Sequence, residues 1–258
     1  MIVSETDFRV SVRATREFRD MLRDNRIFTD DRLGQDRWAH EPVVTFNKDC
    51  EIEPYTGFFR GEALCSFGAF SYSWTPVPPR FTAGRYCSIA GGVRFPGAEH
   101  PVGALSTSPV FYDRKASFVA AAMEDMGYGS PWGKMPFKDK PFPSIGNDVW
   151  LTAEAALGPG VHVGNGTVVM RAAMVTRSLP AYRLAGGMPA TADKLRFDGD
   201  LGDRLLATEW WQYSPADLKT LPVANPTAFV EAWEGLNTKP DPWTPPKLRV
   251  WAEVQRIA

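Results

Sequence analysis

A chain of 258 residues, 44% hydrophobic and 23% charged, is long enough to bury a sizeable core, as one domain with appendages or as two small ones. A formal net charge of −1 gives no electrostatic footprint for nucleic acid or for an anionic membrane. No apolar run approaches the ~20 residues of a bilayer span, and MIVSETDF lacks the basic start and apolar middle of a secretion signal, so a soluble cytoplasmic protein is expected.

Residues 1–60 read as an N-terminal extension or cap. The spacing predicts a helix over about 13–23, and the arginines around it (Arg9, Arg13, Arg16, Arg19, Arg23, Arg26) are interleaved with acids, the pattern of a solvated face. VVTF and CEIEPYTGFF read as strands that extend the repeat of residues 61–195 at its blunt end. Cys50, Cys65 and Cys87 show no metal-ligand spacing and cannot all pair, so reduced thiols are expected.

Residues 61–195 carry the strongest signal. Ile145, Leu151, Leu157, Val163, Val169 and Val175 are branched aliphatics six residues apart, and four places after each stand Val149, Ala155, Val161, Thr167, Ala173 and Leu179. Six is a multiple of the strand period and a poor helical one, yet apolar residues do not alternate as in one long strand. Short strands joined by tight corners fit: three sides close a coil of about eighteen residues, and coils stack at ~4.8 Å. Gly146, Gly158, Gly160, Gly164 and Gly166 are expected to supply the corner conformations. The beat recurs faintly in FGAFSY, AGRYCS and IAGGVR. SWTPVPPRFT reads as an insertion whose prolines keep it out of a ladder. After Phe95 the beat stops until Ile145, and an excursion over 96–144 is the kind of long loop that carries function.

Residues 196–258 read as a helical segment. LLATEWWQYSPADLKTL and PTAFVEAWEGL are two helices separated by proline, with Ser214-Pro215 a helix start. Trp210 and Trp211 are expected to pack rather than to bind a ligand.

GRYCSIAGGVRF, GAEHPVGALSTSPVFY, IGNDVWLTAEAALGPGVHVGNGTVV and YRLAGGMPATADKLRF resemble, in that order, the hexapeptide-repeat acyltransferases, in particular their xenobiotic acetyltransferase branch. The resemblance covers about 64–197. It implies a mainly β fold, a left-handed parallel β-helix, an exception to right-handed crossovers. It further implies a homotrimer with active sites between subunits, and direct transfer of an acetyl group from acetyl-CoA to a small-molecule or sugar acceptor.

The base for such a transfer must work near neutral pH, which suits histidine. The resemblance assigns that role to His100; the competing reading is a surface histidine without chemistry. Glu99 is a candidate to orient the imidazole, although neighbours on an extended chain point opposite ways, and a backbone carbonyl is the alternative. Some relatives carry an acid shortly after the histidine, where this chain has VGAL. For the co-substrate, the resemblance implies Trp150 beside the thioester end, Ala153, Arg171 and Thr176 along the pantetheine arm, and Arg177 and Lys194 near the phosphates. Arg171 departs from the small residue usual at its position. Tyr128, Trp132 and Phe137 in the excursion are candidate acceptor contacts; a lid or a trimer contact are the other readings of that segment. His40, His100 and His162 do not form a three-histidine metal site, so no metal is expected, and Cys87 reads as inert packing. A non-catalytic β-helix interaction protein, or an N-acetyltransferase acting on an amino sugar, are the rival functions.

Overall fold

The computed structural model describes residues 1–32, 35–97, 99–129 and 141–258. Its repeat consists of two-residue strands in parallel pairs. Ser144–Ile145 lies on His162–Val163, Trp150–Leu151 on Val168–Val169, and Ala156–Leu157 on Met174–Val175. Each partner is eighteen residues downstream, so three sides make one turn and the turns stack in register. The six aliphatics of the repeat are at most 4% exposed. Val149, Ala155, Val161, Thr167, Ala173 and Leu179, beside the corners, are buried with them. The result is a left-handed parallel β-helix.

The corners differ from expectation. Tyr55, Phe70, Tyr86, Asp148 and Tyr182 hold left-handed backbone at one corner of successive coils, with φ of 63, 63, 62, 53 and 51°. Among the described glycines only Gly166 shares that corner, at φ 68°, while Gly160 holds left-handed backbone at another, at φ 73°. The stacked environment meets the cost of a left-handed residue with a side chain: Tyr55 and Phe70 stack at 5.6 Å and 1° between planes, and Phe70 meets Tyr86 at 4.9 Å. Gly164 serves close approach instead of turning, since a Cβ there would lie 2.6 Å from the backbone nitrogen of Ala181.

The long excursion does not disturb the register. Ala83 pairs with Ile145, Ile89 with Leu151, and Arg94 with Ala156, each sixty-two positions on, forty-four more than one coil. Upstream the coils are shorter: Phe67 pairs with Ala83 and Ile52 with Phe67, sixteen and fifteen residues apart. SWTPVPPRFT is therefore not an insertion. Between its end residues, which belong to the strands Tyr72–Ser73 and Thr82–Ala83, it forms the third side of a shortened coil without a strand, in keeping with its prolines. Trp74 N–H donates to the Ile89 carbonyl at 2.8 Å and the Thr75 hydroxyl to the Val93 carbonyl at 3.2 Å.

Stacking also begins before residue 61, because Ile27–Phe28, Glu51–Ile52 and Thr56–Phe58 join the parallel ladders. VVTF goes elsewhere. Val43–Asn47 belongs to an antiparallel sheet with Arg9–Arg13 and Ile2–Glu5, crossed by the helix Arg16–Asp24. Phe18 of that helix meets the rings of Trp38 and Phe46, each at 6.5 Å. The last strand, Leu248–Arg249, pairs antiparallel with Glu51–Ile52. At the other end, Arg183–Gly187 and Ala190–Leu195 form an antiparallel hairpin on Val168–Val169. Both ladder ends are thus partly covered, as open strand edges require.

The segment after 196 is helical over Leu201–Thr208, Pro215–Leu218, Pro226–Glu234 and Val250–Ile257. Ser214 and Asp217 form a reciprocal cap at the Pro215 start. Trp211 is buried. Trp210 packs on Tyr86 at 5.0 Å and donates to the Tyr182 hydroxyl at 3.2 Å, so the pair packs as expected. The described chain divides into two compact units, Met1–Phe95 with Phe142–Ala258, and Pro96–Pro141.

A charged clamp joins the segments of the larger unit. Arg85 binds Glu53 through two nitrogens, at 2.6 and 2.9 Å. It also donates to the carbonyls of Gln212 and Trp243, at 3.3 and 3.1 Å. Burial raises the Glu53 pKa, but hydrogen bonds from Arg85 and the Ala69 N–H outweigh it and hold the carboxyl below its usual range. A depressed folded pKa contributes stability above the unfolded value, lost as pH falls through the folded one. Glu53→Gln is therefore expected to lower unfolding free energy at neutral pH by about 1–3 kcal/mol. In urea titrations followed by circular dichroism, the gap to wild type should narrow as pH drops below about 4.3; a gap constant with pH would exclude the charge.

Candidate active site

His100 lies in the smaller unit, just after the chain leaves the coil stack. Turns over 102–105 bring the chain back so that the Thr107 carbonyl is 2.8 Å from His100 Nδ1. Ser108 accepts from the Val110 N–H at 3.4 Å and starts the 3₁₀ turn Pro109–Phe111. That turn delivers Tyr112, whose hydroxyl is 2.6 Å from the same Nδ1 and donates to the Thr107 carbonyl at 3.2 Å. A carbonyl only accepts, so the hydrogen of the neutral ring sits on Nδ1 and is shared between two oxygens. The lone pair is then left on Nε2 of an exposed side chain, where it is able to receive a proton. The Nδ1 partners are a backbone carbonyl and a phenol. Glu99 is exposed.

The other candidates lie on the coil. Trp150 points outward between Ser88 and Val168 and is 52% exposed. Val168 pairs with Leu184 and Leu184 with Lys194, so Trp150 and Lys194 occupy one row, three strands or about 14 Å apart. Ala153 sits at the corner after Trp150. Arg171 is its equivalent one coil on, and the Ala172 N–H donates to the Ala153 carbonyl at 3.1 Å. Thr176 and Arg177 are exposed at the next corner, separated from Arg171 by the strand Met174–Val175. Trp150, Ala153 and Arg171 are thus neighbours along one edge, Lys194 shares their face, and Thr176 and Arg177 do not. Tyr128 follows the helix Ser117–Met126 and its left-handed Gly127 and is half-buried. Trp132 and Phe137 lie outside the described residues.

No family model matches the chain. Chloramphenicol acetyltransferase of Agrobacterium fabrum is 34% identical over 168 residues, 64% of this chain and 75% of that one. Its counterpart in Klebsiella aerogenes is 28% identical over 168 residues, with the same shares. The chain belongs to the chloramphenicol acetyltransferase family. Probable macrolide acetyltransferase of Lysinibacillus sphaericus is 31% identical over 151 residues, 55% of this chain and 74% of that one.

Within this family member, the chemistry-bearing side chains outside the site are accounted for by packing. His162 is exposed, its Nδ1 2.9 Å from the Ser144 hydroxyl. Among the described residues no group of three or more His, Cys, Asp or Glu is placed to hold a metal ion, and no helix is long and apolar enough to cross a membrane. Cys87 is fully buried, its thiol facing the Gly146 carbonyl at 3.0 Å, and burial pushes its pKa up to about 12. Burial likewise raises Cys50 and Cys65. The residues missed by the sequence reading are Thr107 and Tyr112. Both lie within twelve positions of His100, and the STSP turn is the signal that folds them back onto it.

Thiols with raised pKa values and no exposure react slowly. Iodoacetamide at mildly alkaline pH is expected to leave the native protein unmodified by mass spectrometry and to add three groups, one per cysteine, once guanidinium unfolds it. Rapid single labelling of the native chain would overturn the packing role of Cys87.

Proposed function

We propose that this protein transfers an acetyl group from acetyl-CoA directly to a hydroxyl of a small-molecule or sugar acceptor, with His100 as general base. The observation that carries this reading is the Nδ1 arrangement. A hydrogen held between the Thr107 carbonyl and the Tyr112 hydroxyl selects the tautomer whose Nε2 accepts a proton. In the reaction Nε2 takes the acceptor's hydroxyl proton as its oxygen bonds to the thioester carbonyl carbon. The carbon–sulfur bond then breaks, and the departing thiolate takes the proton from the imidazolium. While that cation exists, both Nδ1 partners offer it oxygen acceptors.

For the co-substrate, Trp150 presents an exposed ring and Lys194 a cation in the same outward row, with Arg171 at the adjoining corner. This supports a thioester near Trp150 and phosphates toward Arg171 and Lys194, with Ala153 bordering the arm; Thr176 and Arg177, beyond the strand Met174–Val175, are left out of this path. Membership of an acetyltransferase family supports acetyl-CoA as the donor. Trp150, 52% exposed on the outer sheet, supports burial between copies and hence the homotrimer. A cytoplasmic location agrees with three unpaired, buried thiols.

His100→Ala is expected to lower turnover about 10²–10⁴-fold while acetyl-CoA still raises the melting temperature. Near wild-type turnover would remove His100 from the mechanism. Tyr112→Phe keeps the ring but deletes one oxygen beside Nδ1. A loss of about 1 kcal/mol predicts a roughly fivefold fall in kcat with little change in acceptor KM. An effect confined to KM would instead place the phenol on the substrate.

A further inference from the structure

The N-terminal extension does more than cover the first coils. Between residues 19–32 and the outer face of the sheet it leaves a cavity of about 730 Å³, of a size that holds a small organic molecule. Its two sides differ in character. One is aromatic: Phe28, Tyr55 and Tyr72 are 37, 49 and 36% exposed, and Trp74 lines the same wall. The rings are held in place, since Tyr55 stacks on Phe70, and Phe59 meets both Tyr72 and Trp74, at 6.0 and 5.0 Å.

The other side is cationic. Arg19 and Arg23 are already occupied by Asp36, at 3.0 and 3.3 Å. Arg26 and Arg32 also line the cavity, and among the described residues neither lies within ion-pair distance of a carboxylate. Of the two acids in the wall, Asp30 accepts the Arg37 backbone N–H at 2.6 Å; Asp31 is the remaining opposing charge. Arg26 holds left-handed backbone at φ 58°, and its carbonyl accepts from the Tyr55 N–H at 2.7 Å. The cation and the aromatic wall are therefore joined through the main chain. A constrained arginine beside exposed, fixed rings is suited to a planar body bearing a negative group: the rings take its face, and a guanidinium takes its oxygens in pairs.

We propose that this cavity is a binding site for an aromatic anion, a planar ring system carrying a phosphate or carboxylate. Tyr72 pairs with Ser88 and Ser88 with Trp150, so the site opens on the row of Trp150, two strands or about 10 Å away. On the transferase reading this makes it the acceptor's seat, and the acceptor a hydroxylated aromatic anion. The site itself does not need that reading, because binding is measured without acetyl-CoA.

Isothermal titration of the full chain with 4-nitrophenyl phosphate, inorganic phosphate and 4-nitrobenzyl alcohol separates the contributions. The aryl phosphate is expected to bind at least about tenfold more tightly than either part alone. The double variant Arg26→Gln/Arg32→Gln should lose about tenfold, one to two charge-assisted hydrogen bonds. Arg16→Gln, an equal loss of charge at a side chain 83% exposed on the neighbouring helix, should bind as wild type. Aryl phosphate binding no tighter than its parts, or equal losses in both variants, would overturn the proposal. Unchanged melting temperatures show that the variants are folded, and undiminished binding by the folded double variant overturns the site as well.

Discussion

One constraint governs this molecule: each side of each turn must bury one aliphatic side chain directly above the one below it. The interior is a narrow prism filled by Ile89, Leu151 and Val169 on one side, and by their counterparts on the other two. A displaced turn would face its aliphatic residue to water, since a one-residue slip in a strand reverses its side chains. Burial of a residue of this size stabilises by roughly 1.5–3 kcal/mol, so the register is held many times over. Polar corner bonds repeat with the same period. Asn165 Oδ1 accepts the Asn147 N–H at 2.7 Å, and Asn147 Oδ1 accepts the Arg85 N–H at 2.8 Å.

That constraint explains why the prism was legible in the sequence. Aliphatics at every sixth position have no other economical solution, and the buried rows at Ile145 to Val175 and Val149 to Leu179 match residue for residue. The corners were less legible because their conformation depends on stacked neighbours as well as on intrinsic preference. Tyr55, Phe70 and Tyr86 hold a backbone ordinarily left to glycine because each ring is covered by the next. The upstream coils hid their period because they are shorter, at fifteen and sixteen residues in place of eighteen, and SWTPVPPRFT supplies the strandless side of the sixteen-residue one.

The parts that were least visible depend on distant segments. Leu248 pairs with Ile52 across almost the whole chain, and nothing local in either stretch announces it. The clamp of Glu53, Arg85 and the carbonyls of Gln212 and Trp243 is of this kind, as is Arg196, which reaches Asp148 at 2.8 Å and the Gly166 carbonyl at 2.7 Å. In the candidate site, motif order singles out His100 as a candidate, whereas its neighbours Thr107 and Tyr112 needed the turn geometry. The cavity beneath the N-terminal extension needed both the antiparallel cap and the outer face of the sheet, which no motif links.

Because Arg94 still meets Ala156, and Ile89 still meets Leu151, with forty-four extra residues between them, the exit and re-entry of the excursion are separated by no more than an ordinary corner. A segment hung from such a point can lengthen or shorten while Ala83, Ile89 and Arg94 keep their partners on the next coil. Evolution, or an engineer, is thereby given a replaceable cassette carrying its own imidazole, spliced in where the register of the chassis does not count its residues.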